Sequence, residues 1–175
     1  MSVFSEFLKA DFKRYGDGKI ALYQRLFHYY FRKAQTRNSS FGRFVFKVLF
    51  RCHSRLHGIE IPSCTRIGKG FYLCHAYNIT INGGTVIGEN CNIHKGVTIG
   101  TECRGRRAGT PTIGNCVSIC VNATIVGKIT IGDDVIIAPN AFVNCDIPSH
   151  SIVIGNPCIV KHRENATAGY VCNVV

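Results

Sequence analysis

The sequence predicts a mainly β protein: a coil of short parallel strands over residues 57–161, with a basic amphipathic helical segment, residues 1–56, before it and a tail, residues 162–175, after it. Two observations carry this prediction. Apolar residues recur at three and four up to Leu56 and at six after His57. The second period is the rarer one, and it spans most of the chain.

In the first third, the stretch "SFGRFVFKVLFRCHSRL" places Phe41, Val45, Val48, Leu49, Cys52 and Leu56 on one helical face and Arg43, Lys47, Arg51 and Arg55 on another. Ser39 or Ser40 in "TRNSSFG" supplies its N-cap. Similar spacing predicts a helix over Lys19 to Ala34 and a short one over Ser5 to Tyr15.

The six-residue ladder begins with Ile61, Ile67 and Leu73. It continues at Ile81, Ile87, Ile93 and Ile99 after a step of eight, and at Ile113, Ile119, Ile125, Ile131, Ile137 and Val143 after a step of fourteen. Alternating strands of an ordinary sheet do not hold a six-residue phase. Short strands joined by tight turns do, when each turn uses one hexad and each aliphatic residue stacks on its equivalent in the next layer. The β-branched residues suit the strands, and Gly, Asn and Asp suit the corners. Insertions are tolerated only at corners, where they project outward. The step of fourteen therefore marks a projecting loop at residues 101–112, and the step of eight marks two extra residues beside His75.

Composition narrows the function classes. The net charge is +11, but residues 1–56 carry +9 of it, so the coil is nearly balanced and no nucleic-acid partner is expected. Ten cysteines would serve a disulfide framework in a secreted protein, yet "MSVFSEFLKADFKRYGDG" lacks the apolar core of a leader. The cysteines are therefore expected to be reduced, mostly as small apolar fillers, in a cytoplasmic protein without a metal site. No apolar run reaches membrane-spanning length.

The hexads, together with "CHAYNITINGGTVIGENCNIHKGVTIG", "RGRRAGTPTIG" and "DIPSHSIVIGNPCIVK", resemble the hexapeptide-repeat acyltransferases, and within them the short serine O-acetyltransferase-like branch. The resemblance covers about residues 58–161. It implies a left-handed parallel β-helix, a homotrimer with active sites between subunits, and acetyl transfer from acetyl-CoA to a hydroxyl without a metal. The acceptor it implies first is L-serine, in cysteine synthesis; a sugar hydroxyl of a surface polysaccharide is the alternative. A non-catalytic scaffold that binds partners through its flat faces is a third reading.

Acetyl transfer to an alcohol requires a base, and histidine has the fitting pKa. By resemblance the base is His75 in "LCHAY", with Glu60, fifteen residues earlier, as the acid that orients it. Against these stand a structural corner histidine and a solvated glutamate. Cys74 stands where the family often has an aspartate for the amino group of serine, and Thr110 stands where larger members have a substrate histidine. His94 follows an inward isoleucine, so it is either a surface residue or part of the acceptor pocket. The family's thioester and pantetheine positions fall on Gly100, Thr101, Val121 and Pro139, and CoA phosphates call for Arg104, Arg106, Arg107 or Lys161 and Arg163. For residues 1–56, a cap over the open end of the coil competes with contact to an anionic membrane surface. The tail "ATAGYVCNVV" suggests docking into O-acetylserine sulfhydrylase, though Val175 departs from the family's isoleucine.

Overall fold

The computed structural model describes residues 2–18, 20–36 and 39–175. Lys19, where the second predicted helix was to begin, lies outside the described residues. Three helices come first: α1 (Val3–Lys13), α2 (Leu22–Thr36) and α3 (Ser40–Leu56). The Ser2 hydroxyl caps α1 by accepting from Ser5 N–H, and Ser39 caps α3 by accepting from Gly42 N–H.

The coil then runs through β1 (Ile59–Glu60), β2 (Arg66–Ile67), β3 (Tyr72–Cys74), β4 (Ile79–Ile81), β5 (Val86–Ile87), β6 (Asn92–His94), β7 (Thr98–Gly100) and β8 (Thr112–Ile113). It continues through β9 (Ser118–Ile119), β10 (Thr124–Val126), β11 (Thr130–Ile131), β12 (Val135–Ile137), β13 (Phe142–Val143), β14 (Ser151–Ile154) and β15 (Ile159–His162). Up to β13 every third strand stacks on the last, and β14 then stacks on β12, which gives three faces. The first is β1-β4-β7-β10-β13, the second β2-β5-β8-β11, and the third β3-β6-β9-β12-β14, with β15 added antiparallel at the end. A complete turn takes eighteen residues, as Thr80 lies opposite Thr98 and Thr112 opposite Thr130. The first turn takes twenty, Ile59 opposite Ile79, and the turn with the loop takes twenty-six, Thr98 opposite Thr124.

The predicted ladder fills the interior. Ile81, Ile99, Ile125 and Val143 stack on the first face, Ile67, Ile87, Ile113 and Ile131 on the second, and Leu73, Ile93, Ile119 and Ile137 on the third, none more than 5% exposed. Each contributes roughly 1.5–3 kcal/mol of apolar burial. The glycine after each second-face isoleucine has a steric cause: a Cβ on Gly68 would lie 2.6 Å from Gly88 O, and one on Gly88 would lie 2.5 Å from Gly114 O. Any side chain there would force successive turns apart.

The first turn exposes three strand edges, and the helices cover them. Arg32 on α2 donates to Ile67 O (2.8 Å) and Gly68 O (2.7 Å), Gln35 donates to Thr65 O, and Gln24 donates to Leu73 O (2.7 Å). Asp11 on α1 accepts from Phe71 N–H at 2.9 Å and from the fully buried Arg32 at 2.8 and 3.0 Å. Burial pushes the Asp11 carboxyl up, but Arg32 and His28 outweigh it and hold the group below its ordinary value. Phe27, Phe31 and Phe50 join the same core from α2 and α3. The segment is thus a cap whose polar groups replace a missing turn of strands. Among the described residues, no helix is long and apolar enough to cross a membrane.

Candidate active site

The two extra residues of the first turn fall between β3 and β4, in His75–Asn78. A regular corner here needs one left-handed residue, supplied in successive turns by Asn78, Gly96, Asn122 and Asn140, and the insertion adds a second, His75, at φ 50°. Left-handed backbone disfavours a Cβ-bearing residue, so the insertion carries a local cost. Its effect is to swing His75 out of the ladder and leave it exposed at the corner between the third and first faces.

Three side chains surround this corner. Cys74 lies opposite His94 in the β3–β6 pairing, and the Ile93–Ile119 register places Cys120 next in the same column. His94 is half-buried, and burial, with a smaller contribution from the neighbouring His75, lowers its pKa, so the neutral imidazole predominates at pH 7. Burial pushes the Cys74 thiol up, against a smaller lowering by the neighbouring Tyr72. Cys74 is therefore an uncharged thiol at neutral pH and offers no negative charge to an amino group.

Glu60 lies one layer below. Its partner in the ladder is Thr80, five residues past His75, and its exposed side chain faces a groove of about 660 Å³ under α3, with Lys47, Arg51 and Arg55 on the other wall. Among the described residues, neither Glu60 nor His75 makes a side-chain hydrogen bond. The single chain brings them to adjacent layers without joining them.

The residues expected to hold the acyl donor divide between two corners. Val121 and Pro139 lie one above the other, eighteen residues apart, on the corner that bears His75. Gly100, Thr101 and the loop that follows lie at the opposite end of the first face, a three-residue strand or ~10 Å away. There the Thr101 hydroxyl donates to Gly109 O at 3.0 Å, and Glu102 and Gly109 exchange backbone hydrogen bonds that close the loop at its base. Arg104, Arg106 and Arg107 are exposed, the last two in a 3₁₀ turn, Gly105–Arg107, anchored where Lys128 N–H donates to Arg107 O. Thr110 is half-buried, with its side chain over Gly84 of the turn below. Lys161 is exposed on β15. Among the described residues, no group of histidine, cysteine and carboxylate side chains could hold a metal ion.

The tail is bound to its own chain. The Asp134 carboxylate accepts from Ala166 N–H, Thr167 N–H, the Thr167 hydroxyl and His150 Nδ1, which together hold it down at about 2 against its burial. Further on, Arg14 donates to Cys172 O at 2.7 Å, and Val175 and the Asn90 side chain exchange two hydrogen bonds. Sequence reasoning missed this strap and the Tyr72–Cys74 contact. The twenty- and twenty-six-residue offsets would have found the column of Cys74, His94 and Cys120, because residues one turn apart stack.

No protein-family model matches this chain. A serine acetyltransferase of Helicobacter pylori is 34% identical over 122 residues, which are 69% of this chain and 71% of the relative. Serine acetyltransferases of Synechococcus elongatus (34%) and Arabidopsis thaliana (38%) are matched over 67% and 59% of this chain but only 48% and 29% of their own length. Among solved structures, the Brucella abortus serine acetyltransferase in complex with coenzyme A superposes with a TM-score of 0.77 at 25% identity, covering 91% of this chain and 68% of that one. Soybean serine acetyltransferase complexed with serine gives 0.74 at 25%, covering 90% and 69%. With its coil, its corner histidine and these relatives, the chain belongs to the serine acetyltransferase family of hexapeptide-repeat acyltransferases, left-handed parallel β-helices by fold.

Proposed function

We propose that this chain transfers the acetyl group of acetyl-CoA to the hydroxyl of L-serine, by direct attack, with His75 as general base. The observation that carries this reading is the corner: a two-residue insertion and a left-handed histidine present one imidazole beside the neutral His94. His75 takes the hydroxyl proton as the oxygen attacks the thioester carbon, and it returns that proton to the departing CoA sulfur. Glu60, in the adjacent layer, would orient His75, and backbone N–H groups at Gly100 and Thr101 would receive the developing negative charge. Arg106, Arg107 and Lys161 suit the phosphates of the donor.

The division of the donor residues between two corners supports a homotrimer. One copy would then present its His75 corner, with Val121 and Pro139, to the loop corner of the next, with Gly100 and Thr101. Ten unpaired thiols fit a cytoplasmic setting. Docking of the tail into O-acetylserine sulfhydrylase would first require breaking the hydrogen bonds that hold it to Asn90, Arg14 and Asp134.

One observation favours a second reading, a sugar hydroxyl as acceptor. Cys74 is neutral and Thr110 packs on Gly84, so neither meets a charged amino acid. A thiol-release assay with acetyl-CoA and either L-serine or sugar acceptors decides between them, with the product identified by its mass. Acetylation of serine, abolished in His75→Ala, supports the first reading. Sugar acetylation alone supports the second, and no CoA release with any acceptor overturns both.

A further inference from the structure

Outside the proposed site, Cys145 and Cys158 bring their sulfur atoms to 3.8 Å of each other. Cys145 is exposed on the segment that leads from β13 to Ile147, at the same corner of the coil as the inserted loop. Cys158 is half-buried at the end of the Gly155–Cys158 turn between β14 and β15, where it packs on the core, and the Ile154–Ile159 pair closes that turn. Both elements are built on the last turns of the coil, so the two thiols are held as neighbours. A disulfide needs the sulfurs at about 2.05 Å, which here means an approach of under ~2 Å.

We propose that Cys145 and Cys158 form a dithiol–disulfide couple that is oxidised by a low-molecular-weight disulfide of the glutathione type. The exposed Cys145, as thiolate, attacks one sulfur of oxidised glutathione and forms a mixed disulfide, releasing one glutathione thiolate. The Cys158 thiolate then attacks the Cys145 sulfur, forms the internal disulfide and releases the second glutathione. Two protein thiols lose two protons and two electrons, and one oxidised glutathione becomes two reduced ones. The partial shielding of Cys145 and its contact with Cys158 raise its pKa, so the first attack quickens as pH rises. Once formed, the bond ties the terminal hairpin to the corner beside Arg107, whose charge acts on Cys145. None of this rests on the acetyl-transfer reading.

The test is direct because no lysine or arginine lies between Lys128 and Lys161, so both cysteines fall on one tryptic peptide. Folded protein is incubated with oxidised glutathione, quenched with iodoacetamide and digested. The expected peptide is lighter by about 2 Da and takes up no alkyl group. Cys158→Ser should stop at a Cys145–glutathione mixed disulfide, whereas Cys145→Ser should leave Cys158 alkylated. Oxidation should also raise the Tm of the wild type by several degrees, and of neither variant. Two alkylated cysteines in the wild-type peptide, or glutathione on both, overturns the proposal whether or not the variants fold.

Discussion

Asp11→Ala removes a carboxylate that accepts three hydrogen bonds, two from Arg32 and one from Phe71 N–H. Arg32 is 0% exposed and, among the described residues, keeps as hydrogen-bond acceptors only the Ile67 and Gly68 carbonyls and the Gln35 amide oxygen, beside the Phe7 and Phe31 rings. An uncompensated buried charge typically costs ~3–5 kcal/mol, and an orphaned N–H adds up to about 1–3, less than additively. We expect a loss of roughly 4 kcal/mol, which for a chain of this size lowers Tm by about 8–16 °C. Urea unfolding followed by circular dichroism measures it. Asp11→Leu combined with Arg32→Met should be less damaging than Asp11→Ala alone, since it removes both charges. The pH dependence has a definite sign: a carboxyl held below its unfolded value stabilises the fold above about pH 4, and that stability is lost as pH falls. Because Phe71 begins the segment that ends in Cys74 and His75, kcat should fall with stability even in the folded fraction. A variant within about 1 kcal/mol of wild type would show that the helices do not hold the first turn, and the cap argument would fail.

Further outcomes follow from other contacts. His75→Ala should reduce kcat by ~10²–10⁴ with little change in the KM for acetyl-CoA, read by thiol release; near-normal turnover would transfer the base role elsewhere. Gly88→Ala should destabilise the coil by about 1–3 kcal/mol in the same urea assay, because its Cβ meets Gly114 O. Asp134→Asn should free the strap, seen as faster hydrogen exchange at Ala166 and Thr167; in the wild type the same loosening should appear as pH falls from about 4 towards 2, where the carboxyl takes up its proton.

What the sequence made legible was whatever repeats. The hexad phase predicts the stacked interior, the loop at residues 101–112 and the corner at His75, because each is a property of spacing. The cap was legible as amphipathic helices ahead of an open coil end, but its bonding was not, since the pairing of Asp11 with Arg32 joins two helices under a strand edge that spacing does not reveal. The fifteen-residue spacing puts Glu60 in the layer next to His75, as the β1–β4 register does, but spacing alone does not reveal that its ladder partner is Thr80. The tail carries no period at all, and its strap depends on single side chains, Asn90 and Asp134 at corners and Asn92 on β6, that the coil happens to offer.

The separation of the donor residues yields a test that distinguishes a site within one chain from a site between chains. His75→Ala disables the corner between the third and first faces. A second variant, Arg104→Glu with Arg106→Glu and Arg107→Glu, reverses the charge of three exposed side chains on the opposite corner and should repel CoA phosphates while leaving the fold intact. Each alone should be nearly inactive. In a trimer whose sites lie between neighbours, each site takes its base from one subunit and its loop from the next. When the two variants are unfolded together and refolded as an equal mixture, one site in about four pairs an intact His75 with an intact loop. Activity should therefore return to about a quarter of the wild-type value per site, and titrating the mixing ratio should trace the product of the two fractions, with its maximum at equal amounts. If base and loop act within one chain, no mixture can restore activity, because every chain carries one defect. A flat, inactive titration in mixtures shown to co-assemble would overturn the intersubunit site.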